Sequence, residues 1–494
     1  MSDSRSSHSN IFKTTFLFSF VQVVNIVAKV AVNKVVAVVL GAEGLGIISL
    51  YNTAINMLKS GCGLGIRQSA VRDIAEANNK YDLIRVSTII SVTNKVVLFT
   101  SLLGLAVTIL GAPLLSHYSF GDYGKTIAFV ILSIAVALNI YAEGQMAILT
   151  GVRHLNDLAK SNIIGSIVGV LVSIPLYYFF GEKGIVPSLI AVALSLFLVT
   201  KYYVHKIEID KLTISFKEAV RKASPMVKMG SVLMLAGFAG LAFDLIVSSY
   251  IRYKGGLANV GYFQAGSTII SGYFGVVLTA MTTDYYPRIC GLNYDNAAIN
   301  TELNKQISAG FILILPLAVL FVYLAPVFIS FLYSPDFQIS VNYTDFAIFG
   351  TVITIASNCM GMVFMAKQES KLYLVLVMSA LLIQLCFYLP LYNWLGLTGL
   401  GVSYIMNGII GFVLYGAFLK RRYGISLSFR NLILLSIVIA SVVVSILARH
   451  IPSSVFSIIS GVILLASSCA FSSIYLNREM GINVFSIVKR KLCK

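Results

Sequence analysis

Charge is what this chain has least of. Asp, Glu, Lys and Arg make up 12% of its 494 residues, while 57% are hydrophobic and the mean hydropathy is +0.86. That is about half the charge of an average soluble domain, which excludes a water-soluble globular fold and predicts an all-α polytopic membrane protein. No connection between apolar runs is long enough to fold alone, and the longest external one spans Leu114 to Tyr123. Histidine is also sparse: His8, His117, His154, His205 and His450 lie in tails or loop edges, with no two at ligand spacing. The six cysteines fall inside spans (Cys62, Cys359, Cys386, Cys469) or on the basic side (Cys290, Cys493), which argues against disulfides and a metal cluster. H-E-x-x-H, G-x-S-x-G and P-loop patterns are missing, so hydrolase chemistry and direct ATP drive are not expected, nor is a cofactor. The first apolar run is too long for a signal h-region and lacks an A-x-A-like cleavage site, so it reads as a retained helix.

What the chain has is apolar runs of about 20 residues. They fall near 12–40, 44–66, 84–110, 124–150, 157–180, 185–205, 221–251, 258–282, 303–333, 341–367, 371–393, 398–419, 429–448 and 454–476, predicting about fourteen transmembrane helices. Of the 37 Lys and Arg, 28 collect on one side, 5 on the other and 4 inside the spans. The asymmetry places both termini in the cytoplasm of a multi-pass protein. It also accounts for most of the +17 net charge, so nucleic-acid binding is not needed to explain it.

Sliding the chain on itself by 215 residues superposes Leu40–Ile55 on the region Gly255–Ile270. Gly41 meets Gly256, Gly46 meets Gly261, Thr53 meets Thr268, and Lys29 falls on Asp244. Both pieces join the first two helices of a six-helix set. The expectation is two homologous lobes, residues 1–205 and 221–420, joined by a cytoplasmic linker at 206–220 and followed by two extra helices and a basic tail at 421–494.

Polar residues inside the spans recur at helical spacing. The first helix stacks Gln22, Asn25, Lys29 and Asn33 on one face; the second stacks Ser49, Asn52, Asn56 and Lys59. Ser91 and Lys95, Asn139 and Glu143, Asp244 and Ser248, and Gln264 and Ser271 mark later helices. A Lys at the bilayer centre costs roughly 2.5–3.5 kcal/mol, so Lys29, Lys34, Lys59 and Lys95 facing lipid would together oppose insertion by about 10 kcal/mol. A wet cationic cavity removes that cost and suits an anionic cargo. Alternatives stand beside this reading. Lys59 and Lys34 are within snorkelling reach of an interface, Asp244 and Glu143 are natural partners for a buried ion pair, and the Asn, Ser and Gln stripes also suit interhelical hydrogen bonding.

The stretch LGAEGLGIISLYNTAINMLKSGCGLGIRQSAVRDIAE (Leu40–Glu76) resembles the opening of the Wzx-type oligosaccharide flippases of the MOP (MATE-like) superfamily. Val260–Ile289 resembles the matching start of the second lobe, and Phe349–Tyr373 the tenth-to-eleventh helix junction, within a diffuse similarity over residues 10–420. The resemblance implies a V-shaped two-lobed bundle in the bacterial inner membrane. Its implied activity is to flip an undecaprenyl-pyrophosphate-linked oligosaccharide, of the O-antigen type used in lipopolysaccharide biosynthesis, from the cytoplasmic to the periplasmic leaflet. It implies the bilayer, a polysaccharide polymerase and chain-length machinery as partners. The substrate site expected from the residues themselves is Lys29, Lys95, Lys34 and Lys59, lined by Gln22, Asn25, Asn33, Asn52, Asn56 and Gln264. Asp244 or Glu143 would couple the cycle to H⁺ or Na⁺ by antiport. Two competing readings are a multidrug exporter of the same superfamily, which four intramembrane lysines oppose, and a membrane-embedded polymerase or ligase, which the short external connections oppose.

Overall fold

The computed structural model describes residues 21–22, 24–79, 82–207, 215–275, 285–286, 288–292, 295–451 and 454–480. Among them every regular element is helical. Ten stretches are long and apolar enough to cross a bilayer, and one of these, Leu155–His205, contains two helices joined by a tight turn. Helix α1 covers 24–39. It is followed by α2 (Gly41–Cys62), α3 (Ile66–Asn79), α4 (Leu83–Phe120), α5 (Thr126–Gly151), α6 (Leu155–Phe180), α7 (Ile185–His205) and α8 (Phe216–Thr268). Helix α8 is broken at Gly256, whose φ of 79° and ψ of 175° no helix allows. After a π-turn at Ile269–Phe274 come α9 (Asn296–Leu332), α10 (Ser340–Ala366), α11 (Ser370–Leu395), α12 (Leu397–Tyr423), α13 (Phe429–Arg449) and α14 (Ser454–Met480).

Two features differ from the sequence reading. The loop expected at Leu114–Tyr123 is mostly helix: α4 runs 38 residues to Phe120, about 57 Å, through Pro113. Packing carries it on, because Ser116, Ser119 and Phe120 are buried. Ser116 Oγ also donates to Asp122 O (2.8 Å) and accepts from Lys125 N (3.1 Å), and left-handed Gly121 stops the helix. The second difference is α3, an amphipathic helix where only a basic connection was expected. Its Ile66, Ala70, Ile74 and Ala77 fall on one face and pack with Val86 and Ile90 of α4, Ala147 and Ile148 of α5, and Ala219 and Ala223 of α8. Its charged face, with Arg67, Arg72, Asp73 and Glu76, turns outward.

The helices repeat at the 215-residue interval. Leu155–Phe180 and Ser370–Leu395 share their length and carry an internal proline at the same register, Pro175 and Pro390. The positive-φ residues recur too: Gly41 (65°) with Gly256 (79°), Arg153 (63°) with Gln368 (60°), and Gly181 (56°) with Gly396 (59°). Such backbone is costly for anything but glycine, so its recurrence at one fixed spacing is not a product of chance packing.

By contact the chain forms two compact units, Met1–Gly261 and Tyr262–Lys494. The first unit takes in the described parts of the expected linker (206–220) and most of α8, because α8 lies against α2 as well as α3. A Cβ at Gly61 would fall 2.9 Å from the Phe238 ring, and one at Gly46 would overlap Leu257 O.

In the second unit α10 is buried around most of its circumference and serves as the core. It meets α12 along a seam of small residues. Cβ atoms at Gly350, Gly401 and Gly408 would all press on the facing helix, and Ser357 Oγ donates to Gly408 O (3.1 Å). In lipid, where apolar burial drives little association, close backbone approach of this kind holds helices together. Helix α13 is tied at both ends. At one end Asn304 of α9 accepts from Ser428 N (2.7 Å) and donates to Ser426 O (3.0 Å), while fully buried Asn431 donates to Asn304 O (2.9 Å) and accepts from Ser308 Oγ. At the other end Arg449 forms a two-pronged ion pair with Asp345 of α10 and donates to Val322 O of α9 (2.6 Å).

Candidate functional site

All the predicted site residues except Gln264 lie in the first unit. Gln22, ahead of α1, and Lys29 on it are exposed, and Asn25, Asn33 and Lys34 of α1 are half-buried. Asn25 Oδ1 accepts from Ser166 Oγ of α6, so at this level the polar stripe also fastens two helices. On α2, Ser49 is buried and Asn52, Asn56 and Lys59 are half-buried. That stripe leaves α2 too polar to count among the ten apolar stretches.

Lys59 and Glu143 come together. Lys59 Nζ lies 3.0 Å from Glu143 Oε1, and Arg67 of α3 approaches the same oxygen to 3.5 Å. The three charges bind α2, α3 and α5 and sum to +1. The pair keeps about a quarter of each side chain exposed, so solvent screens it and lowers its worth to stability. Lys95 of α4 is half-buried beside Asn94, which accepts from Gln145 of α5 (2.8 Å). Asp244 of α8 is exposed within a span-length apolar stretch, and Ser248 one turn on is buried. Gln264 of the second unit is half-buried and donates to Thr268 Oγ1 (3.2 Å). Among the described residues no three His, Cys, Asp or Glu gather into a metal-holding group.

Arg67 reads in the sequence only as an interface charge near Lys59, and Asn94, Gln145 and the Asp345–Arg449 pair are not signalled as site residues there. Asn94 adjoins Lys95, and Gln145 lies two positions beyond Glu143, so both were adjacent to residues singled out. Asp345 is an acid inside an apolar run, the same signal that drew attention to Asp244. Arg449 is one of the 5 basic residues that the sequence assigns to the sparser side, because sequence position alone cannot tell a loop cation from one folded back onto a helix.

The glycines of the repeat meet each other within the first unit. A Cβ at Gly46 would overlap Leu257 O, and one at Gly261 would overlap Ala42 O. Ala42 and Leu257 are themselves 215 residues apart. The contact is therefore reciprocal, each copy of the segment pressing its glycine on the other's carbonyl, which is the geometry of a two-fold interface.

A family model described as "Polysaccharide biosynthesis protein" matches residues 35–342, from within α1 to the start of α10. The chain belongs to that family. The lipid III flippases of Escherichia coli K12 and Shigella flexneri are each 24% identical to it over 416 residues, covering 81% of this chain and 96% of theirs. Its fold is that of the MOP superfamily. It is similar to the lipid II flippase MurJ in an inward closed conformation, with a TM-score of 0.68 at 13% identity over 95% of this chain and 100% of that one. It is also similar to an inward-facing multidrug resistance MATE family transporter of the MOP superfamily, with a TM-score of 0.65 at 16% identity over 80% of this chain and 95% of that one. The likeness in fold to the lipid II flippase thus extends well beyond the residues 35–342 that the family model matches.

Proposed function

We propose that the protein is a flippase that carries an undecaprenyl-pyrophosphate-linked oligosaccharide, of the O-antigen repeat-unit type, from the cytoplasmic to the periplasmic leaflet of the bacterial inner membrane. The observation that carries this reading is Lys29, an exposed ammonium midway along the helical first segment. Lipid around it is costly; water and an anionic phosphate are not. Lys34 and Lys95 add positive potential, and the Lys59–Glu143–Arg67 cluster adds a further unit. An oligosaccharide crossing bare hydrocarbon would lose about 2–7 kcal/mol for each unpaired hydroxyl, so a hydrated path is what the cargo needs. Kinship with lipid III flippases and the likeness to the lipid II flippase fold support the same cargo class.

In this reading about fourteen spans form two six-helix lobes and a C-terminal pair, with both termini cytoplasmic, and the lobes alternate access around the polar stripes. The reciprocal contact of Gly46 and Gly261 closes the external side, since backbone packed on backbone seals without side chains. Asp244 is the better candidate than Glu143 for coupling to H⁺ or Na⁺, because Glu143 is already held by two cations. A polysaccharide polymerase and its chain-length machinery would consume the product.

The test is complementation of a flippase-deficient strain scored by surface polysaccharide, paired with flipping of the lipid-linked oligosaccharide in vesicles holding the purified chain. Restoration in both supports the reading. Drug resistance without glycan restoration would transfer the protein to the multidrug branch.

A further inference from the structure

A cavity of about 380 Å³ opens in the second unit, between the first turns of α9 and the start of α13. Asn300 and Asn304 line it, and their amides are engaged by the segment entering α13: Asn300 accepts from Ser426 N (3.1 Å) and Asn304 from Ser428 N (2.7 Å). These amides shape the cavity. The charged groups that line it are Lys305 and Arg430. The Lys305 side chain is 66% exposed, and its nearest carboxylate, Glu302, stands 4.0 Å off and is held by Arg288 at 3.2 Å. The Arg430 guanidinium carbon lies 5.4 Å from the centroid of the Tyr475 ring of α14, a cation–π contact that holds it near the cavity. No acidic residue lines the cavity among the described residues. The N-terminus of α13, capped by Ser428, adds further positive potential.

The surroundings identify the kind of anion. Phe429, Leu432 and Ile433, the residues next to Arg430 on α13, are 76%, 40% and 46% exposed in a helix apolar enough to span a bilayer. A ligand with an anionic head and a hydrocarbon body matches both surfaces, and inorganic phosphate would use only the first. We propose that this cavity binds the phosphate headgroup of an anionic phospholipid, with Lys305 and Arg430 as its charge partners and the exposed face of α13 as the seat of its acyl chains. The site lies on the end of the helices that gathers Lys367, Lys420, Arg421 and Arg422, where anionic lipid is enriched if that end is cytoplasmic. It is independent of the cargo.

The experiment is thermal unfolding of the full purified chain in detergent, titrated separately with short-chain phosphatidylglycerol, short-chain phosphatidylcholine and inorganic phosphate. Phosphatidylglycerol should raise the midpoint saturably and phosphatidylcholine should not. The K305Q/R430Q variant should weaken the phosphatidylglycerol response about 25-fold, from about one unit of RT ln 5 per cation near the membrane surface. K420Q/R421Q, which removes two exposed charges from the same end but outside the cavity, should leave it unchanged. An equal response in K305Q/R430Q and the parent overturns the proposal, and so does a response matched by phosphatidylcholine. Inorganic phosphate acting as strongly as phosphatidylglycerol overturns the lipid as its source. Should K305Q/R430Q not fold, K305Q alone must weaken the response about fivefold while R430K retains it; failure of either arm has the same force.

Discussion

Arg449 and Asp345 are 12% and 5% exposed at the side chain, and the guanidinium covers both carboxylate oxygens. Removing one partner strands a charge in a dry place, so D345N and R449M are each expected to lower stability by about 3–5 kcal/mol. The hydrophobic double variant D345L/R449M should recover most of that loss, since it buries no charge. Thermal unfolding in detergent of the singles and the double measures this directly; singles as stable as the parent would mean that the pair contributes nothing. Lys29 differs in kind. It is exposed and has little packing to lose, so K29A should leave membrane abundance unchanged while transport falls about tenfold, the equivalent of 1.4 kcal/mol. K29R, which keeps the cation, should retain most activity. Equal flipping by K29A and the parent would remove Lys29 from the path. At this scale the sequence offers Glu143 as an ion-pair partner but does not say which lysine it meets. Lys59 and Glu143 lie 84 positions apart, and only the packing of α2 on α5 brings them within 3.0 Å.

Helix α2 combines a polar face with two close approaches to α8. Gly46 and Gly61 both admit α8, and the face bearing Asn52, Asn56 and Lys59 carries its hydrophilic residues. A side chain at Gly46 or Gly261 must push the opposing backbone away, at a cost of about 1–3 kcal/mol for overpacking. G46A and G261A are therefore expected to loosen the external closure. With native cysteines replaced by serine and Asn52 replaced by cysteine, labelling by a membrane-impermeant maleimide added outside should increase severalfold in either variant. Unchanged labelling would show that this contact is not a closure. The glycine matches were visible in the sequence as a register. Their pressing on one another was not, because a repeat specifies equivalence and says nothing of contact. Helix α3 was missed for a different reason: its apolar stripe has only four positions, two of them alanine, interleaved with arginines that read as loop charge.

For the molecule as a whole, most of the span limits were legible because hydrocarbon leaves the backbone no alternative to helix. The overextension of α4 was not, since serines buried beyond the apolar run, Ser116 and Ser119, carry no hydrophobic signal. The 215-residue register was legible in a few glycines, and it extends to proline positions and left-handed turns that no hydropathy scan weighs. Orientation and coupling belong to this scale too. Cysteines placed at Ser2 and beside Cys493 should react with permeant reagents only, and labelling of either by an impermeant reagent in intact cells would reverse the topology. Flipping in vesicles under an imposed pH gradient should lose its dependence on the gradient in D244N and keep it in E143Q. The opposite result would assign coupling to Glu143.

The two copies agree in backbone and disagree in electricity. At 215 positions beyond Lys29, Lys34, Lys59 and Lys95 stand Asp244, Ser249, Phe274 and Gly310. For the flippase proposed above, the cargo phosphate would meet cations on one copy of the repeat and not on the other, so its release would have fewer charges to overcome.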